Sequence, residues 1–370
     1  MHALTVRAVS REEFLANRAA WQSLLARSGA DPLFMSWDWI SIWWRHHEPL
    51  LAAQLRVLAV HAAGGELLGI APFYLHAARQ QGIRVRRLEL LGSTWRDDNA
   101  VFGEYLDVIA ATDARAAVCA ALHRWLDENR EWDELVLCNL RAHSVAEQLA
   151  GSLAVTAYVR RAESMTGWSI RLPETFAAFL AQLSSNTRRK VVNQREKLPG
   201  AACATPQAEG RAATLERLAA FTAKRFGTPG NAAALRARFH ADLVAGWADA
   251  GGVRLTELRS GEQCVSVMLN LRAGDAEYYL QSGFDDAYAR GLSPGLLHLG
   301  FAIEAACRDG VRQFDFLAGR GLNRDYKQDF AAVGAALHTL HLVRKPLLRA
   351  LFRTADLLRG RTSHKARIAA

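Results

Sequence analysis

Tyr278-Tyr-Leu-Gln-Ser-Gly-Phe-Asp285, Ala289-Arg-Gly-Leu-Ser-Pro-Gly295, an apolar run to Asp309, then Phe314-Asp-Phe-Leu-Ala-Gly-Arg-Gly321 and Asp325-Tyr-Lys327 form the stretch that decides the fold. It reads as strand, glycine-bearing turn, helix, strand and polar turn. A glycine-bearing loop that enters a helix suits phosphate, because free N–H groups and the positive end of the helix dipole converge there. Gly291 and Gly295 permit close backbone approach. Ser293 can cap the helix or donate to phosphate, and Pro294 suits the first helical position. Arg290 could pair with a phosphate. The alternative reading of Ser293-Pro-Gly is simply a well-made helix start.

Around this stretch lie 370 residues, half of them hydrophobic and 22% charged, enough for a large core and about two domains. Cys119, Cys138, Cys203, Cys264 and Cys307 have no paired spacing, which argues for a reducing compartment and against a zinc site or a disulfide framework. The twelve histidines also lack metal-ligand spacing, so no metal is expected. The first residues lack the apolar core of a signal peptide, and no window is apolar enough to span a bilayer. A cytoplasmic protein is expected, peripheral at the inner membrane if its basic tail binds there. The net charge of +9 suits nucleic acid, anionic lipid or a phosphate-rich small ligand.

Taken in order, the chain predicts a strand at 5–9 and a helix at 11–27 that starts on a Ser10/Glu13 capping box. The tryptophan-rich helix after Ser36 is read as core rather than as a sugar platform. A hairpin about Gly64-Gly65 and a strand at 85–91 follow. The loop Gly92-Ser-Thr-Trp-Arg-Asp-Asp-Asn99 is the most site-like feature of the N-terminal half, or else an ordinary turn. A strand is expected at 104–109, a helix at 114–129, a strand at 135–140 and a short helix at 144–149. Connecting strands are expected at 155–164 and 168–172. The second half repeats the order. It has a helix at 175–183, a basic helix from Ser184 to Leu198 carrying Arg188, Arg189, Lys190, Arg195 and Lys197, and helices at 215–226 and 232–250. Three antiparallel strands span 253–283. A helix at 296–309 and a strand at 313–316 close the set. The fold class is α+β, in two duplicated halves.

After Leu340, eight cations from Arg344 to Arg367 face one acid, Asp356, and leucines recur at near-helical spacing. Such a segment could lie on an anionic membrane, or could be a docked helix with a loose basic end.

At Tyr279-Leu-Gln-Ser-Gly-Phe-Asp285, Tyr288-Ala-Arg-Gly-Leu-Ser-Pro-Gly295, Phe314–Gly321 and Tyr326-Lys327 the chain resembles CelD-type acyltransferases of the GNAT superfamily. These proteins are associated with cellulose and exopolysaccharide synthesis and are related in fold to the FemABX transferases. Phe34-Met-Ser-Trp-Asp-Trp39 and Leu183–Lys190 extend the resemblance over about residues 1–340. Arg290–Gly295 stands where the superfamily carries Q/R-x-x-G-x-G/A. The resemblance implies two tandem GNAT-like domains, each a mixed, mostly antiparallel sheet flanked by helices. Their bounds are 1–165 on the acceptor side and 166–340 on the donor side, with a basic tail at 341–370. It implies an acetyl-CoA or other acyl-CoA donor held by Gln281, Ser282, Gly283, Arg290, Gly291, Leu292, Ser293 and Gly295.

For catalysis, Asp315 is the candidate base or, equally, a structural carboxylate for its turn. Tyr326 could act as an acid toward the leaving thiolate, and Lys327 could hold the oxyanion or an acidic acceptor. Arg320, Trp95, Asp97, Asp98 and Asn99 are candidate acceptor contacts. The implied activity is transfer to an amine or hydroxyl of a saccharide-related acceptor, in exopolysaccharide or cell-envelope biosynthesis. An aminoacyl-tRNA-dependent transferase of the FemABX kind, and a non-catalytic partner of a membrane polysaccharide synthase, are the other readings.

Overall fold

Hydroxyl caps start the helices where serine and threonine punctuate the sequence. The computed structural model describes residues 4–96, 101–227, 230–288, 291–318 and 325–368. Chain contacts divide it into two units. The first takes residues up to Arg96, Phe102–Ser164 and Leu337 onward, and the second takes Met165–Ala336.

In the first unit the order is β1 (Thr5–Ala8), α1 (Arg11–Ala16), α2 (Arg18–Ala26), α3 (Trp37–Leu51), β2 (Gln54–His61), β3 (Leu67–Gln80), β4 (Ile83–Leu90), β5 (Ile109–Ala110), α4 (Arg115–Glu128), β6 (Glu134–Arg141) and α5 (Val145–Leu153). β7 (Tyr158–Arg171) then crosses from this unit's residues into those of the second. The Ser10 hydroxyl accepts from Glu13 N–H at 3.1 Å, Ser36 from Trp39 N–H at 3.2 Å, and Ser144 from Glu147 N–H at 3.2 Å. Trp39, Trp43 and Trp44 of α3 are buried, so the aromatic stripe is core.

The second unit continues with α6 (Phe176–Ala181), α7 (Ser185–Val191), β8 (Ala201–Ala204), α8 (Arg211–Phe226), α9 (Asn231–Trp247), β9 (Val253–Ser260), β10 (Gln263–Ala273), β11 (Ala276–Phe284), α10 (Pro294–Arg308), β12 (Gln313–Leu317) and the start of β13 (Val333–Val343). The rest of β13 and α11 (Pro346–Ile368) count with the first unit.

Strand order in the first unit is β1-β2-β3-β4-β6-β13, with β5 also on β3. In the second it is β7-β12-β11-β10-β9-β8. Each has one parallel pair, β4 with β6 and β11 with β12, and each pair is joined through a helix, α4 or α10. The rest pair antiparallel, so each unit is a mixed, mostly antiparallel sheet flanked by helices. One face of the second sheet packs Ile170, Met268, Phe314 and Phe316 on Phe179, Val191, Leu299 and Ile303. The other face packs Leu255, Val267 and Leu269 on Leu218 of α8 and Val244 of α9.

Several elements differ from the sequence expectation. The strand expected at 104–109 shrinks to Ile109–Ala110. Tyr105 sits at φ 57, and the Asp107 carboxylate turns in to accept from Val108, Val145 and Ala146 N–H groups. These bonds cap α5 and break the extended run. The segments at 155–164 and 168–172 are one strand, β7. The basic stretch Ser184–Leu198 is helical only to Val191 and continues as a 3-10 turn over Asn193–Lys197. The Val191 carbonyl lies 2.1 Å from where a Cβ on Gly300 would stand, so α7 and α10 meet backbone to backbone there. The segment set apart after Leu340 begins inside β13. Its helix α11 buries Leu348 and Phe352 in a cluster with Val85 and Val343 of the first unit. Arg344 donates to the Leu126, Asp127 and Asn129 carbonyls that end α4.

Candidate active site

The parallel ladder of β11 and β12 comprises Ala276↔Gln313, Glu277↔Phe314 and Tyr278↔Asp315. Beyond it β12 follows β7 and β11 follows β10, so the strands part and one edge of β11 from Tyr279 onward leaves the ladder. A bulge at Leu280 between the Leu269 and Asn270 pairings twists β11 at this point. Three hydroxyls meet here. The Tyr326 and Tyr279 phenols hydrogen-bond to each other, and Tyr279 also bonds the Ser282 hydroxyl. Burial, and then the neighbouring Tyr279, push the Tyr326 phenol well above its ordinary range. Burial likewise raises Tyr279, opposed by its bonds to Ser282 and Tyr326. Both phenols therefore stay protonated at neutral pH, and this chain can deliver a proton but not accept one as a phenolate.

The turn into α10 lies after this edge. Gly291 has φ 80, a left-handed conformation that glycine adopts without strain. Its carbonyl accepts from the buried Gln194 amide at 3.1 Å. Ser293 makes no side-chain cap bond, Pro294 opens the helix, and the Leu296 and Leu297 N–H groups bond the Ser293 carbonyl. A Cβ on Gly295 would stand 2.7 Å from the Phe284 ring, and the Arg225 guanidinium lies over that ring, 4.6 Å from its centroid. Arg225 at the end of α8 thus brings a cation to the uncapped end of α10. The sequence held no signal for it, because α8 lies more than sixty residues upstream of α10.

The other predicted donor residues have mixed placements. Gln281 donates to Thr222 of α8 at 3.1 Å, and a Cβ on Gly283 would meet Phe221 at 2.8 Å, so both serve β11–α8 packing. Leu292 packs on the cluster of Leu198, Leu258, Val265 and Leu297. Arg290 and Arg320 lie outside the described residues, as do Asp97, Asp98 and Asn99.

Asp315 lies between Phe314 and Phe316, whose rings enter the cluster that also holds Tyr279 and Tyr326. Strand alternation therefore directs its carboxylate to the opposite face. It is buried and accepts from Leu317 N–H at 2.7 Å, across a bulge where Leu317 has φ 59. That bond is of the kind the structural role requires. Lys327 is 5% exposed, and its ammonium donates to the carbonyls of Phe316 (3.0 Å), Leu317 (2.5 Å) and Ala318 (2.8 Å). Its three N–H groups gather the end of β12 into a turn.

The first unit repeats this plan, and the opening is filled. β4 and β6 share the parallel pairs Arg87↔Glu134, Leu88↔Leu135 and Glu89↔Val136. Asn139, at φ 56, lies three residues past the last ladder pair, as Leu317 at φ 59 lies two past its own, and its amide donates to the Gly103 carbonyl at 2.8 Å. Gly103 N–H in turn bonds the Gly92 carbonyl, which brings the loop's own residues into the gap. Trp95 is buried there. Its backbone N–H donates to the Glu89 carboxylate at 2.8 Å, the Arg87 and Arg96 guanidiniums lie over its ring, and the His341 ring packs on it at a tilt. It faces protein rather than solvent.

Residues 185–328, which hold the parted strands and the turn into α10, match the family model for the acetyltransferase (GNAT) domain. This segment has a GNAT fold. Among solved structures, one described as FemX is 11% identical and aligns over 94% of this chain and 99% of its own at a TM-score of 0.61. A conserved Bacteroides thetaiotaomicron protein of unknown function is also 11% identical, over 92% of this chain and 99% of its own, at 0.58. A C-terminal DUF2156 domain from Agrobacterium fabrum, named for lysylphosphatidylglycerol synthetase, is 8% identical over 93% and 97%, at 0.50. At these identities the likeness speaks for the fold alone. No curated protein sequence matches the chain. Among the described residues no cluster of His, Cys, Asp or Glu could hold a metal ion, and no helix is long and apolar enough to cross a membrane.

Two histidines make the GNAT-fold unit acid-sensitive. His298 of α10 bridges Ser266 and Thr256, each at 2.9 Å, and burial lowers it to about 3; His240 of α9 is lowered to about 3 by burial and by Arg236. Both are neutral when folded and take up a proton near pH 6.5 when unfolded. Their contribution is therefore complete above pH 6.5 and is lost as pH falls toward 3. At pH 5.5 each should cost about 1.4 kcal/mol relative to neutrality. Urea unfolding at pH 7.5 and 5.5 should show the drop, and His240→Phe should roughly halve it.

Proposed function

We propose that the protein is an acyl-CoA-dependent acyltransferase that acylates an amine or hydroxyl of a saccharide-related acceptor. The observation that carries this reading is the edge of β11, which leaves the ladder at Tyr279 beside the protonated Tyr326–Tyr279–Ser282 chain and runs toward the uncapped start of α10. An extended donor arm fits such an edge through backbone hydrogen bonds, as an added strand would. Its phosphates fit the α10 N-terminus, with the Ser293 hydroxyl and Arg225 as side-chain partners. An acyl-CoA supplies an acyl group on a thioester whose thiolate is the leaving group. The β11 backbone would orient the acyl carbonyl, and the acceptor nitrogen or oxygen forms the new bond to that carbon as the carbon–sulfur bond breaks. Tyr326 would give its proton to the sulfur as it takes one from Tyr279, Tyr279 one from Ser282, and Ser282 one from the acceptor's N–H or O–H, so the acceptor's proton ends on the departing thiol and no phenolate forms. The saccharide-related acceptor rests on the CelD-type resemblance.

A second reading, transfer from aminoacyl-tRNA, is favoured by the whole-length likeness to the structure described as FemX. Thermal melting separates the two. Acetyl-CoA at about 100-fold over its Kd should add about 2.7 kcal/mol, a midpoint rise of roughly 5–10 °C. No shift with any CoA thioester, together with salt-sensitive binding of charged tRNA, would replace the first reading by the second.

A further inference from the structure

α11 is amphipathic, and one of its two apolar faces is covered. Leu348 and Phe352 are buried on the first unit, while Leu347, Leu351 and Leu357 are 59%, 46% and 67% exposed. At about 100° per residue these three lie within an arc of about 120°, away from the docked face. The helix runs 23 residues, about 35 Å. Its one acid, Asp356, is engaged by Tyr158 and Arg160, each at 3.0 Å. Beyond it the sequence adds Arg359, Arg361, Lys365 and Arg367 with no acid among them. Exposed leucines on a strongly cationic helix call for a surface that is apolar and anionic together.

We propose that the outward face of α11 lies on an anionic lipid surface, with Leu347, Leu351 and Leu357 entering the headgroup layer and the cationic C-terminal half drawn to lipid phosphates. A protein groove would satisfy the leucines, but the excess of positive charge selects a surface of distributed negative charge. The docked face keeps the helix fixed to the first unit, so that unit would be held at the membrane in one orientation. This inference does not depend on the transferase reading.

Sedimentation of the full chain with vesicles tests it. The protein should pellet with vesicles containing about a third phosphatidylglycerol, stay in solution with phosphatidylcholine alone, and be released by high salt. Leu347→Glu with Leu351→Glu should weaken binding roughly tenfold at an unchanged melting temperature, since both side chains are exposed. Replacing Arg359, Arg361 and Lys365 by glutamine should weaken it about fivefold per charge. Failure to pellet with the anionic vesicles, equal binding to phosphatidylcholine, or wild-type binding by the double leucine variant would each overturn the proposal.

Discussion

Tyr326→Phe should lower kcat by about 100-fold while shifting stability by only about 1 kcal/mol, the worth of one hydrogen bond. The ring stays in place because its packing is independent of its hydroxyl: it meets Phe330 edge-on at 6.2 Å and joins the cluster of Phe314 and Phe316. Under the proposed mechanism the variant loses the proton for the departing thiolate. Affinity for acetyl-CoA in the melting assay should remain, because Tyr326 lies in the splay and not at the α10 turn. Asp315→Asn is the informative comparison. Asparagine can still accept from Leu317 N–H, so a structural Asp315 predicts turnover within a few-fold of wild type, and a base predicts a loss of about 100-fold or more. Release of free thiol in the presence of a panel of amino and hydroxyl sugars measures both variants. Full activity in Tyr326→Phe would remove the proton-donor role.

Lys327→Met should destabilise the second unit by about 3–5 kcal/mol, since the carbonyls of Phe316, Leu317 and Ala318 would lose one shared donor inside the protein. The gain from no longer burying an ammonium offsets part of that cost, and methionine keeps the packing volume. Lys327→Arg should not rescue it, because a planar guanidinium cannot point three donors at carbonyls gathered around one atom. Circular dichroism melts decide the point. A Lys327→Met protein that melts like wild type yet has lost turnover would assign the lysine to catalysis.

The legible part of this chain was its local grammar. Hydroxyl caps at Ser10, Ser36, Ser144, Thr175 and Ser184 start helices, since a side-chain oxygen two or three residues from a free N–H acts within one turn. The strand–turn–helix–strand order of 278–317 likewise follows from local pattern. β8 and β13 were not legible. β8 is a short edge strand of alanines and a cysteine, and β13 carries polar and apolar residues of no clean period, so each is extended only because a neighbour offers a ladder.

Asp315 and Lys327 show the limit at the level of a site. Their residue types suit acid–base chemistry, yet both bond backbone groups that the fold delivers. Conversely, Tyr279 and Arg225 joined the site only when β11, α8 and the 325–330 turn came together.

The opening stretch, Tyr278–Lys327, carries by itself a strand, a helix that begins at Pro294 and a second strand, because hydrophobic period, proline and glycine act over a few residues. That β11 and β12 part after Tyr278 and Asp315 was decided by tertiary structure alone. The parting depends on which strand claims each edge: β7 takes β12, β10 takes β11, and no local pattern encodes that competition. The same holds for the duplication. The two units share a three-pair parallel ladder and a left-handed residue in the following strand, Asn139 or Leu317, without shared residues. Backbone geometry repeats where side chains do not, so one opening is filled by Gly103 and its loop while in the other the edge of β11 from Tyr279 onward leaves the ladder.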